Sequence, residues 1–290
     1  MTNLERVVAE SKRLPQTTKR MYRSVVRRFV DFAGSAPTSW TPGAVEAWLA
    51  TLAVRPQSLN VYICALRYAS RRHATLHGAR DFAGALETVL VPATKHRTGA
   101  TVLSREQIEL ILASCSGAAP RDMRDRALIV LGLHTGFRRA ELAGIELDDL
   151  DAVGRAVVVI AKRNRRHVVK VSAGCWNALA PWLAWLRRRR IRDGRLFRGL
   201  RRCLDAEAGY VVTRGLKPDG VYGVIRRRAA RAGVHGVSPH SLRHSCAALL
   251  REGGVPEAQI AARLGHAAVT TTGLYGGDYV TPASDGGLPF

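Results

Sequence analysis

Apolar residues recur at helical spacing along nearly the whole chain, and the exception constrains the fold most. AVVVIAKRNRRHVVKVS, residues 156–172, holds two runs rich in β-branched residues, Val157 to Ile160 and Val168 to Val171, flanking a basic turn. That is the signature of a β-hairpin. A hairpin cannot bury its apolar face alone, so the surrounding helices must cover it. The expected fold class is mainly α with a small antiparallel β-sheet.

The helices are legible on either side. TTKRMYRSVVRRFVDFAG places Tyr22, Val25, Val26, Phe29 and Val30 on one face and Lys19, Arg20, Arg23 and Arg27 elsewhere. TPGAVEAWLATLA offers Thr41 as N-cap and Pro42 at the first helical position. A third helix is expected from Gln57 to His73, with Val61, Leu66 and Ala69 packing while Arg67, Arg71 and Arg72 project. Beyond it, VPATKHRTGA (91–100) mixes Pro92, Gly99 and three basic residues between periodic segments. The expected organisation is a helical domain over 1–95, a linker at 96–102 and a second domain over 103–290. The second domain opens with Ser104 as N-cap and Gln107 three residues later, a capping box. RDRALIVLGLHTG reads as a buried helix stopped by Gly136, and CWNALAPWLAWLRRRRIRD repeats Trp176, Leu179, Leu183 and Leu186 at helical spacing. Arg187 to Arg190 then read as a solvated helix end.

Charge narrows the partner. The 290 residues carry 45 Lys plus Arg against 23 Asp plus Glu, a net charge of +22. Residues 1–97 hold 15 basic against 6 acidic side chains and residues 98–290 hold 30 against 17, so both parts are basic. A field of that sign concentrates polyanions, nucleic acid foremost. A membrane reading would need a long apolar run, and no stretch of 18 apolar residues exists. The first residues, MTNLERVVAESKRL, carry Glu5 and Glu10 where a secretory leader would be apolar. A location in a bacterial or archaeal cytoplasm or nucleoid is expected. The five cysteines are scattered and never spaced CxxC, which argues against a disulfide framework or a zinc ribbon and for small core residues.

Four stretches carry candidate chemistry. HTGFRRAEL (134–142) sets Arg138 at the start of a helix with Glu141 one turn on, able to orient it by an ion pair. AKRNRRH puts Lys162 at the first position of the hairpin turn. SPHSLRH (238–244) gathers His240, Arg243 and His244 within one turn, after a proline. LGHAAVTTTGLY (264–275) contains His266 and ends in Tyr275, nine residues later. His240 and His244 at i and i+4 could share a zinc ion. A zinc hydrolase would instead show HExxH, and here Ser241 stands at the glutamate and Arg243 sets a cation beside the site.

Taken together these stretches resemble the tyrosine recombinase, or phage integrase, family, whose pattern is TGxR, a hairpin lysine, HxLRH, LGH and a tyrosine nine residues after that histidine. The resemblance is strong from about residue 100 to 277 and weaker over the N-terminal helices. It implies an N-terminal core-binding (SAM-like) domain and a C-terminal α+β catalytic domain, similar to Xer-type or small mobile-element integrases. It further implies that Arg138, Lys162, His240, Arg243, His266 and Tyr275 are catalytic, with Glu141 and His244 in support.

The residue types suit a phosphodiester attacked by a phenol. Guanidinium groups are planar donors for the charge that builds on the phosphoryl oxygens, a role for Arg138 and Arg243. A phenol of pKa about 10 must lose its proton as it attacks, and His240 is the candidate base. Lys162 would protonate the departing 5′ oxygen, His266 would donate to a phosphate oxygen, and His244 would orient its helix. The resulting 3′-phosphotyrosine conserves bond energy, so no metal or nucleotide cofactor is implied. Further DNA contacts are expected from Lys19, Arg20, Arg67, Arg71, Arg72, Lys95, Arg97, Arg163 and Arg165. The implied partner is double-stranded DNA with short inverted-repeat core sites, held by a tetramer on two duplexes joined through a Holliday junction, with an accessory or partner recombinase as a possible participant. A catalytically inactive DNA-binding relative and a type IB topoisomerase-like strand transferase are the alternatives. The tail after Tyr275, GGDYVTPASDGGLPF, is a poor helix former and leaves open a strand-like end.

Overall fold

The computed structural model describes residues 2–36, 39–54, 56–78, 101–161, 165–203, 209–265 and 279–281. The chain divides into two units, Met1–Arg97 and Thr98–Phe290. The expected linker at 96–102 falls mostly outside the described residues.

Among the described residues the first unit holds four helices, α1 (Asn3–Ala9), α2 (Gln16–Ala33), α3 (Pro42–Ala50) and α4 (Pro56–His77). Val25, Val26, Phe29 and Val30 of α2 are buried as the spacing predicts, against Leu4, Val7, Trp48, Ile63, Leu66 and Ala69. Thr41 caps α3 through the Ala44 N–H. Helix α4 runs one turn beyond the expected His73. On it, Val61 is only half-buried, and Ile63 and Ala65 join Leu66 and Ala69 in the core.

The second unit is built on α6 (Pro120–Thr135), whose second half, Ala127–Leu133, is apolar and buried on every face and so packs on several sides at once. Around it lie α5 (Arg105–Ala113), α8 (Ala173–Arg188), α9 (Pro218–Arg231) and α10 (Pro239–Glu252). Short helices α7 (Arg139–Gly144) and α11 (Glu257–Arg263) follow α6 and α10. The Ser104–Gln107 capping box forms, with both reciprocal hydrogen bonds present at 3.0 and 3.2 Å. The hairpin forms as β2 (Ala156–Ala161) and β3 (Arg165–Lys170), with Val157 opposite Val169.

Three features differ from the sequence-based expectations. The sheet has four strands in the order β1-β2-β3-β6, where β1 is Leu150–Asp151 and β6 is Tyr279–Thr281. Strand β6 runs parallel to β3, so the sheet is antiparallel only in its first two pairings, and part of the tail is indeed a strand. A second hairpin, β4 (Arg198–Arg202) with β5 (Tyr210–Gly215), was not foreseen. Its strands carry four arginines and lie largely open to solvent, which hides the apolar alternation that marks a strand.

On α8 the fully buried side chains are Cys175, Leu179, Trp182, Trp185 and Leu186, while Trp176 and Leu183 are half-buried. The core-facing stripe is thus rotated from the one read off the sequence. Of the five cysteines, Cys115, Cys175 and Cys246 are buried as expected, Cys203 is half-buried and Cys64 is exposed.

Candidate active site

The site begins where α6 ends. Gly136 takes a left-handed conformation, φ 65°, and its N–H bonds the Gly132 carbonyl, closing the helix. A side chain here would be strained and also crowded, since a Cβ would sit 2.3 Å from Leu264 Cδ2. This stop releases Phe137 into the core and turns Arg138 to the surface of the next helix, α7.

Arg138 is the N-cap residue of α7, and Glu141 holds it twice. One carboxylate oxygen accepts the Arg138 backbone N–H at 2.7 Å, and the other accepts from its guanidinium at 2.8 Å. The Arg138 side chain remains 30% exposed while Glu141 is 11% exposed, so the pair presents a cation outward on a sheltered carboxylate. The ion pair expected from the i, i+3 spacing is therefore present.

SPHSLRH forms the first turns of α10. The Ser238 hydroxyl accepts the Ser241 N–H, and Pro239 occupies the first helical position. Arg243 points inward and is 7% exposed. Its guanidinium donates to the Gly136 carbonyl at 2.7 Å and to the Leu264 carbonyl at 2.6 Å. One side chain thus ties together the turn of the TGxR stretch and the turn of the LGH stretch. Burial, followed by the nearby Arg138 charge, pushes the Arg243 guanidinium down from its ordinary value, with Glu141 opposing.

His240 is exposed at the mouth of this arrangement. Partial burial first, then His244, Arg243, Arg139 and Arg138, push its pKa below the ordinary 6.5. A neutral imidazole able to accept a proton is the form favoured at neutral pH. His244 is also exposed, its ring 6.3 Å from that of His240. At the cap Ser238 fixes α10, and the buried Ser245 hydroxyl accepts the Leu103 N–H at 2.8 Å. Among the described residues no group of three or more His, Cys, Asp or Glu could hold a metal ion.

Three buried residues that sequence reasoning missed lie behind the guanidiniums. His134, fully buried, accepts the Ser172 N–H on Nε2 at 3.2 Å, and Arg263 Nη2 lies 2.8 Å from the same nitrogen. Burial, then the Arg263 charge, pushes His134 down to about 3. His167 on β3 is 7% exposed, and burial pushes its pKa down as well. The available signal was a histidine inside an otherwise apolar helix run and an arginine three residues before His266. Neither pattern says what the side chain meets.

Lys162, His266 and Tyr275 lie outside the described residues, as do Lys95, Arg97 and Arg163. The structure therefore brings together Arg138, Glu141, Arg243 and His240 from the expected set. Lys162 belongs to the connection between β2 and β3. His266 follows directly on Gly265, one residue past the Leu264 carbonyl that Arg243 binds. Among the DNA-contact candidates, Arg20 and Arg71 are exposed, Lys19, Arg67 and Arg72 are half-buried, and Arg165 opens β3.

A helical domain that sets two guanidiniums, a sheltered carboxylate and a neutral imidazole at the meeting of two glycine turns has the outfit of a phosphodiester-acting enzyme. Residues 101–279 match the model of the phage integrase family, a span that includes all six expected catalytic positions. The tyrosine recombinase XerC of Mycobacterium bovis is 30% identical over 280 residues, covering 89% of this chain and 87% of that protein. Two solved structures share the fold. One is the XerH site-specific recombinase in a post-cleavage complex with palindromic difH substrate, with a TM-score of 0.68, 18% identity, and 91% of this chain and 77% of that one covered. The other is a lambda integrase tetramer bound to a Holliday junction, with a TM-score of 0.66, 18% identity, and coverage of 92% and 73%. The chain belongs to the phage integrase family of tyrosine recombinases. Its activity is site-specific DNA recombination, the cleavage and rejoining of DNA strands.

Proposed function

We propose that Tyr275 is the nucleophile of this recombinase and that Arg138, Arg243, His240, Lys162 and His266 complete its active site. The Tyr275 oxygen attacks the phosphorus and the bond to the 5′ oxygen breaks. The phenol proton passes to His240, and Lys162 protonates the departing 5′ oxygen. A 3′-phosphotyrosine and a free 5′ hydroxyl result, and attack by a 5′ hydroxyl from the partner duplex reverses the step. Phosphorus–oxygen bonds are exchanged one for one, so rejoining consumes no cofactor.

The observation that carries this reading is Arg243, whose two hydrogen bonds hold the Gly136 and Leu264 carbonyls. They bring the turn before Arg138 and the turn before His266 to one guanidinium. Glu141 supports from beside Arg138. The substrate we infer is double-stranded DNA carrying short inverted-repeat core sites, bound by a tetramer on two duplexes through a Holliday junction, with an accessory or partner recombinase as a further participant. The basic residues of the first unit would track the phosphate backbone. The DNA substrate and the +22 net charge favour action in a cytoplasm or nucleoid.

The test is a nicked duplex from the flanks of the gene, which traps the cleaved strand because the short product diffuses away. Wild type should give a covalent protein–DNA adduct on a denaturing gel. Tyr275→Phe should give none while binding the same duplex as tightly. An adduct from Tyr275→Phe would remove this tyrosine from the mechanism.

A further inference from the structure

His167 lies where β3 meets the TGxR turn and the Gly265 turn. It sits on β3, five residues after the hairpin lysine, and pairs across the sheet with Val159 on one side and Tyr279 on the other. Tyr279 follows Tyr275 by four residues. The imidazole stands edge-on to the Phe137 ring, centroids 6.2 Å apart at 69°, and Phe137 directly precedes Arg138. Its Nδ1 lies against the Gly265 turn, where a Cβ on the glycine would be 3.8 Å away. The charged groups that bear on it are Glu141 and Arg138 from α7, Arg243 from α10 and Arg263 from α11. A buried side chain with neighbours on the hairpin, the TGxR turn and the Gly265 turn can set their mutual spacing.

The chemistry of this position is narrow. The ring must be flat to stand edge-on to Phe137 beside the Gly265 turn, and polar to suit the field of the Glu141 carboxylate. It must also lack a charge, because three guanidiniums already face it. A neutral imidazole meets all three demands, and burial keeps it in that form. An arginine or lysine here would add a cation to the positive field of Arg138, Arg243 and Arg263, and an aliphatic residue would place no dipole in that field.

We propose that His167 is a positioning residue for strand cleavage, a polar wedge that spaces the Phe137 turn leading to Arg138 from the Gly265 turn leading to His266. It touches no reacting atom and acts through the residues it separates. Misplacement of a catalytic group by about 1 Å costs up to roughly a hundredfold in rate, so its removal should slow the chemical step and leave DNA binding alone.

This rests on the recombinase active site proposed above, and the experiment separates the two. Wild type, His167→Gln, His167→Ala and His167→Lys are compared at saturating protein on the nicked duplex that gives the wild-type adduct. The first-order rate of adduct formation, the DNA Kd and the thermal midpoint are measured for each. His167→Ala should cleave about tenfold more slowly once bound, with Kd within about twofold of wild type. His167→Gln, polar and neutral, should recover most of the rate, and His167→Lys should be slowest. A Gln variant as slow as Ala, with both rates following the loss of thermal midpoint, would reduce His167 to a stability residue and overturn the proposal. If Ala does not fold, Gln and Lys decide alone, and equal rates for those two overturn it. Wild-type cleavage by all three variants overturns His167 only, whereas a wild-type adduct that survives Tyr275→Phe overturns the active site and this inference together.

Discussion

Two arginine clusters in the second unit face opposite fates. In the first, between α6 and α9, Arg124 and Arg228 meet Asp122 and Asp125. Arg124 pairs with Asp125 at 2.5 Å, and Arg228 reaches Asp125 at 2.7 Å and Asp122 at 2.6 Å. The remaining donors find the Arg198 and Ser114 carbonyls. Two cations and two anions cancel, and every partner is inside the protein. In the second cluster Arg138 and Arg243 share the influence of one carboxylate, Glu141, and Arg243 spends its donors on backbone carbonyls. A positive charge is left over beside a half-exposed Arg138. The balanced cluster is a joint, and the unbalanced one has the charge to seat an anion, the role proposed for it above.

Three perturbations sharpen this contrast, the largest first. Arg243→Ala removes a donor from the unbalanced cluster and should slow adduct formation by about 10²–10³-fold, the usual cost of losing one preorganised donor. Measured at saturating protein, a loss under about threefold would make Arg243 a structural tie only. Asp125→Ala breaks the balanced cluster and leaves two buried arginines short of a counter-charge. It should cost about 3–5 kcal/mol of unfolding free energy in a denaturant titration. The rate of adduct formation by the folded fraction should stay near wild type. A selective loss of cleavage with unchanged stability would erase the distinction between the clusters.

The third perturbation is one of pH. His134 is held neutral in the folded chain, with its pKa pushed from 6.5 to about 3. Unfolded chains take up a proton there near pH 6.5 that the folded chain refuses, so the contribution is full above 6.5 and is lost as pH falls towards 3. His134→Gln, which keeps an acceptor for the Ser172 N–H, should show a shallower decline of stability over that range. Parallel curves for the two proteins would mean that Arg263 rearranges to accept the charged ring.

The same contrast explains what could be foreseen. The Arg138–Glu141 pair was legible because its two residues are three apart on a helix, where spacing alone brings side chains together. The Arg243 ties were not, because their acceptors lie 107 and 21 residues away. The proposed cleavage residues were read as an ordered set of motifs, but the hydrogen bonds that join those motifs were not part of any motif. His244 was assigned to hold its helix and turned out to face solvent, since a helix position fixes direction only once the packing face is known.

By itself the sequence determined the mainly helical class, the β2–β3 hairpin, the stop at Gly136, the caps at Thr41 and Ser104, and the family's residues in their order. All of these depend on neighbours within a few positions, or on a pattern of residue types along the chain. Only the tertiary structure decided that α8 turns its Trp182 and Trp185 inward, that β4 and β5 pair, and that β6 joins β3 in parallel. It also decided that His134, His167 and Arg263 lie buried behind the guanidiniums. Those outcomes follow from which surfaces meet across long stretches of chain, where burial is shared among distant residues and no local spacing records it.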